Sequence, residues 1–210
     1  FSLLVITGVV LTIITQCFAS PLLYIFGASE KTISYAIEYL RIYSIGFTFS
    51  LIATGMNAFI NSQGFSNIGM KTVLIGAILN FILDPLFIFI FGWGVKGAAL
   101  ATCISQCVSA LWVLKFLTSS KPILKLKREE MILEAKRVKS IVTLGTSGFI
   151  MGATNSAVQI VCNRMALLYG GDLLVGAFTI INSVREIFST PVNGLTSATS
   201  PVMSYNYGAK

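Results

Sequence analysis

Apolar residues in this chain come in runs of about 20, separated by short polar or glycine-rich turns. A helix of that length crosses a hydrocarbon core about 30 Å thick. Six such runs are predicted, at 1–26, roughly 33–62, 70–91, 96–117, roughly 140–168 and 173–198. The return Gly92-Trp-Gly-Val-Lys-Gly97 is too short to join anything but antiparallel neighbours. Ser29 and Thr32 stand where they would cap the second helix, with Glu30 suited to its first turn. Glu38 and Arg41, three apart, are expected to pair at the membrane interface. The reading is an all-α integral membrane protein with six transmembrane helices.

Segment 118–139 departs from the pattern. It is basic, has Pro122 at its start, and from Arg128 to Val138 sets Met131, Ile132, Leu133 and Val138 among charges. That is the signature of an interfacial amphipathic helix. Residues 1–117 and 140–210 are then two membrane parts joined by a basic linker at 118–139.

The polar residues inside the apolar runs carry the chemistry. Asp84 falls near the middle of the third run, where an ionisable side chain costs roughly 3 kcal/mol or more and reads by default as part of an ion or substrate pathway. Asn80 lies one turn earlier on the same helix face. Pro85 has no N–H, so the Phe81 carbonyl loses its helical partner and a bend is expected there. An amide oxygen, a carboxylate and a freed carbonyl then share one turn, the kind of oxygen cluster with which transporters hold Na⁺ or a proton. The plainer alternative is that Asp84 bonds a neighbouring helix and Pro85 only bends the segment. A second polar stripe, Thr54, Asn57 and Asn61, must face protein or water rather than lipid. On the sixth run Asn182, Glu186, Ser189 and Asn193 share a face, with Arg185 beside them. This line is a candidate cavity wall or second polar site, or equally an interhelical salt bridge with its hydrogen-bonding neighbours.

Composition narrows the partners. Only 11% of residues are charged, against about 25% in a soluble domain. The net charge of +7 does not point to nucleic acid, because Lys115, Lys121, Lys125, Lys127, Arg128, Lys136, Arg137 and Lys139, eight of the 15 basic residues, lie in or beside one inter-helix segment. That is the mark of a cytoplasmic loop, and it orients the six spans consistently. With no histidine, and with the four cysteines Cys17, Cys103, Cys107 and Cys162 all in apolar runs, neither a metal site nor a disulfide framework is indicated. A membrane enzyme would need a metal set, a nucleophile–base pair or paired acids, and none is evident.

The series Tyr39-Leu40, Gln63-Gly64, Asn80-Phe-Ile-Leu-Asp84-Pro85, Gly94-Val-Lys-Gly-Ala-Ala and Ala101-Thr102 resembles the third-to-sixth-helix region of multidrug and toxic compound extrusion (MATE) transporters. The closing Pro201-Val-Met-Ser-Tyr-Asn-Tyr-Gly-Ala-Lys210 resembles the loop after their eighth helix. The resemblance implies an internal piece of a twelve-helix, two-bundle transporter: 1–117 as the last four helices of the N-terminal bundle and 140–210 as the first two of the C-terminal one. It implies secondary active antiport of small organic, mostly cationic, drugs against Na⁺ or H⁺ by alternating access in a plasma (inner) membrane, with no cofactor beyond the coupling ion. In such relatives the ion site uses the pair matching Asn80 and Asp84, a threonine matching Thr102, and a surrounding network matching Tyr39 and Asn57. A partner aspartate belongs to a helix this chain lacks, and some relatives carry asparagine at Thr54. The alternative is a lipid-linked oligosaccharide flippase of the same superfamily. Its cavity is expected to be cationic, whereas here Arg185 alone is deep in a span, with Arg164 near an end.

Overall fold

The computed structural model describes residues 1–127 and 131–208. Its helices are α1 (Ser2–Ile25), α2 (Ile33–Ile45), α3 (Phe47–Ser62), α4 (Ser66–Pro85) followed by a π-helical turn (Leu86–Ile90), α5 (Gly94–Leu117) and α6 (Ala135–Gly208). No strand occurs among the described residues. Four helices are long and apolar enough to cross a membrane, and the bent pair α2–α3 adds a fifth span. The runs expected at roughly 140–168 and at 173–198 both fall within α6. A straight helix of 74 residues would be roughly 110 Å long, several times a bilayer core. At Gly171 the backbone turns to φ 60°, ψ −158°, a region essentially reserved for glycine, and divides the helix into 135–170 and 172–208.

Residues Phe1–Met151 form one compact unit and Gly152–Lys210 a second. In the first, Ile52, Ala53, Met56 and Ile60 of α3 pack on Ala110, Val113, Phe116 and Leu117 of α5, with Phe65 edge-on to Phe116 at 5.2 Å. In lipid this contact is won by close fit rather than by escape from water, so small residues gather where backbones touch. Gly97, Ala99 and Ala101 are buried at the start of α5, and a Cβ on Gly97 would stand 2.8 Å from the Phe87 carbonyl. Phe81 and Phe89, about 80% exposed, turn outward on α4 and its π turn.

Several local expectations are corrected. The second span is not one helix: it breaks at Gly46 with a bend of 53°. Glu38 pairs with Lys96 of α5 at 3.3 Å, not with Arg41. Thr32 is the N-cap residue of α2 but makes no side-chain cap bond; its hydroxyl instead accepts the Ser29 N–H at 3.1 Å. Glu30 stays in the turn and accepts the Tyr24 hydroxyl at 3.0 Å. The expected amphipathic helix begins at Arg128, which lies outside the described residues, as does Lys210. Met131–Glu134 are not α-helical, and the helix starts at Ala135. The Met131 carbonyl is taken by the Ser2 hydroxyl at 2.6 Å, while Glu134 stands at the helix start, where a carboxylate suits the dipole, and pairs with Arg137 at 3.0 Å.

Candidate functional site

The third span carries the site. Asn80 and Asp84 are one turn apart on α4, and the Asn80 amide donates to Asp84 Oδ1 at 3.2 Å. The same nitrogen lies 3.4 Å from Thr102 Oγ1 on α5. Thr102 gives its proton to the Ala98 carbonyl at 3.0 Å, which leaves a lone pair facing Asn80. Tyr39 of α2 lies beside Thr102 and near Asp84, stacked on Tyr43 with ring centroids 5.5 Å apart. Three helices thus bring Tyr39, Asn80, Asp84 and Thr102 together, as the sequence spacing alone could not show.

Pro85 lies inside a span that runs on from Ser66 to Ile90, and directly after it the helix widens into the π turn, closed by Phe91 N–H to the Leu86 carbonyl at 3.0 Å. Such single π turns recur at functional sites.

A cavity of about 270 Å³ opens between α3, α4 and α5, with Thr54, Asn57, Thr72, Asn80, Thr102 and Gln106 among its polar lining. Its wall includes Asn80 and Thr102 but neither Asp84 nor Tyr39, so the cluster and the cavity share two residues. Asn57 donates to the Gly69 carbonyl at 3.3 Å and leaves its Oδ1 buried without a partner. The expected stripe divides: Thr54 and Asn57 reach the cavity, while Asn61 packs against Gly69. Sequence reasoning missed Thr72 and Ser109, 2% and 5% exposed, joined by Ser109 Oγ to the Thr72 carbonyl at 3.2 Å. For Ser109 a signal existed, since Thr102, Ser105, Gln106 and Ser109 recur at helical spacing.

The second polar line is different. Arg185, Glu186 and Asn193 are exposed and Asn182 and Ser189 half-buried. The Asn182 amide nitrogen is buried without a partner. No group of three or more His, Cys, Asp or Glu side chains suited to a metal ion occurs among the described residues. The oxygens at Asn80, Asp84 and Thr102 suit a hard monovalent cation or a proton.

The MatE family model matches residues 1–86 and 148–210. The multidrug export protein MepA of Staphylococcus aureus (strain MSSA476) is 24% identical over 202 residues, which is 96% of this chain and 45% of that protein. Among solved structures, the MATE multidrug transporter DinF-BH superposes with a TM-score of 0.91 at 32% identity, covering 99% of this chain and 47% of that one. An inward-facing multidrug resistance MATE family transporter of the MOP superfamily gives 0.84 at 27%, with 99% and 47% covered. The chain therefore spans about half the length of the relatives it matches.

Proposed function

Since the chain belongs to the MatE family, we propose that the protein it forms part of is a secondary active exporter of small organic, mostly cationic, compounds, driven by inward flow of Na⁺ or H⁺ across the plasma membrane. The observation that carries this reading is the Asn80–Asp84–Thr102 cluster, an acid and two oxygen-bearing side chains held inside membrane spans beside a polar cavity. Its family relatives include MepA, a multidrug export protein, and DinF-BH, a multidrug transporter. The protein is a carrier rather than an enzyme in this reading, and the remaining helices of the full-length chain complete its cavity.

Asp84 is the coupling residue. With the ion or proton bound, its charge is neutralised and its bond to Asn80 weakens; with it absent, the carboxylate draws Asn80, and through it Thr102, inward. The π turn that follows Asp84-Pro85 is the backbone element able to change register as that balance shifts. Coupling requires the ion to bind the two cavity states unequally, because an ion indifferent to them would shift nothing.

The test is efflux of a fluorescent organic cation by the full-length parent in vesicles, under an imposed Na⁺ or pH gradient. Gradient-driven efflux is expected to fall about ten-fold or more in Asp84→Asn while drug binding persists. Normal coupled efflux in that variant sinks the reading. A wild type that moves no cation under either gradient turns attention to a lipid-linked oligosaccharide and to Arg185.

A further inference from the structure

A break inside a membrane span frees carbonyls that water cannot reach. At Gly46 the chain tightens, with Gly46 N–H on the Tyr43 carbonyl at 2.9 Å, and α3 restarts with Ser50 N–H on the Gly46 carbonyl at 2.9 Å. The Ile42 carbonyl thereby loses the Gly46 amide that a continuous helix would supply. Side chains of two other helices bond to this last turn of α2. Cys103 Sγ of α5 lies 3.1 Å from the Ile42 carbonyl, and Thr12 Oγ1 of α1 lies 2.7 Å from the Ser44 carbonyl. One turn beyond Thr12, the Gln16 amide donates to the Arg41 carbonyl at 2.7 Å and to the Ser44 hydroxyl at 3.0 Å. Ser44 is fully buried. Gly46 itself has φ −73°, so no left-handed turn requires the glycine; a Cβ there would stand 3.0 Å from Cys103 Sγ. The same Cβ would lie 3.1 Å from the Tyr43 carbonyl, so glycine leaves room for both the thiol and the tight turn.

We propose that Thr12, Gln16 and Cys103 form a clasp that fixes the joint at Gly46 and through it holds Tyr39, about two turns before the joint, beside Thr102 and Asp84. They are positioning residues, since their bonds go to the backbone and hydroxyl of 41–44 and not to the Asn80–Asp84 pair. The consequence for ion coupling rests on the function proposed above; the clasp itself does not.

The experiment uses full-length protein carrying Thr12→Val, Gln16→Met or Cys103→Ala, with Thr12→Ser and Cys103→Ser as variants that keep a donor. Amide hydrogen exchange over residues 45–50 is expected to quicken about two- to ten-fold for each donor removed, with the rest of 1–151 unchanged and the serine variants near wild type. In vesicles, the ion concentration giving half-maximal efflux is expected to shift by a similar factor while the KM for the drug stays put. Unchanged exchange at 45–50, or equal quickening everywhere, overturns the clasp. Faster local exchange with an unmoved ion dependence overturns its role in placing Tyr39. If wild-type efflux ignores both gradients, the coupling proposal falls by itself and the exchange data alone decide the clasp.

Discussion

Two polar lines lie inside membrane spans of this chain, and they fare differently. In residues 1–151 the acid at Asp84 accepts from Asn80 on its own helix, which also reaches Thr102 of α5, and the Ser44 and Ile42 carbonyls before Gly46 meet donors from α1 and α5. In residues 152–210 the line through Asn182, Arg185, Glu186 and Asn193 has comparable side chains, yet Arg185 and Glu186 are exposed and Asn182 keeps a buried amide unpaired. The cause is the number of helices within reach. Helices α1 to α5 surround the first line in its unit, whereas the second unit holds little more than two helical segments. A polar residue in a span becomes a site only when enough neighbours arrive to converge on it, and the chain spans about half the length of its relatives.

The contrast is tested most strongly by the two acids. Asp84→Asn is expected to reduce gradient-driven efflux of the full-length parent about ten-fold or more. Glu186→Gln in the same vesicles is expected to change it less than about three-fold. An equal loss from both would mean that the second line is completed by helices outside this chain into a site of comparable weight.

Glycines give the next test, on stability. A methyl on Gly97 would meet the Phe87 carbonyl at 2.8 Å, whereas none of the atoms described lies within 4 Å of one on Gly194. Gly97→Ala is expected to destabilise the detergent-solubilised full-length protein by about 1–3 kcal/mol, the range for overpacking, read as a lower midpoint of thermal unfolding. Gly194→Ala should leave the midpoint unchanged or slightly raised. A loss at Gly194 as large as that at Gly97 would locate a close helix contact that residues 1–210 do not supply.

Within the first line, Thr102 separates acceptor from bulk. Thr102→Val keeps the shape and removes the lone pair facing the Asn80 amide, so the ion dependence of efflux should weaken about two- to ten-fold, the effect of one neutral hydrogen bond. Thr102→Ser should stay near wild type. A valine variant with unaltered ion dependence would remove Thr102 from the cluster and leave Asn80 and Asp84 as a pair on one helix.

How much of this was legible beforehand follows the range of the interactions. The apolar runs and the Asn80–Asp84 pairing come from length, hydropathy and helical repeat, which are local; the runs at 70–91 and 96–117 appear as α4 with its π turn and as α5, whereas the second run breaks at Gly46. Tyr39 and Thr102 entered through family resemblance, because no single-chain period brings 39, 80 and 102 together. The joint at Gly46 was missed since an apolar run through Phe47 and Phe49 reads as continuous, and the signal for a break lay in donors elsewhere, at Thr12, Gln16 and Cys103. The π turn after Pro85 is not predictable from the sequence, because proline predicts a lost bond but not how the backbone continues. Glu38 was assigned to Arg41 by spacing, while Lys96 is far in sequence but near in space.

That misassignment supplies the smallest test. Glu38 and Lys96 tie the start of α2 to the start of α5 at 3.3 Å, with side chains 47% and 56% exposed. Exposed pairs contribute about 0–1 kcal/mol because water screens the charges and two long side chains lose freedom. Lys96→Met or Glu38→Gln should therefore lower the unfolding midpoint only marginally at low salt, and the difference should fade as salt rises. The double variant should behave like either single one, since each already breaks the pair. If instead the charge removals add, or if their effect persists in high salt, the two groups bond separately to something outside residues 1–210. The outer ends of α2 and α5 would then share the property of the second polar line, a polar surface awaiting the rest of the protein.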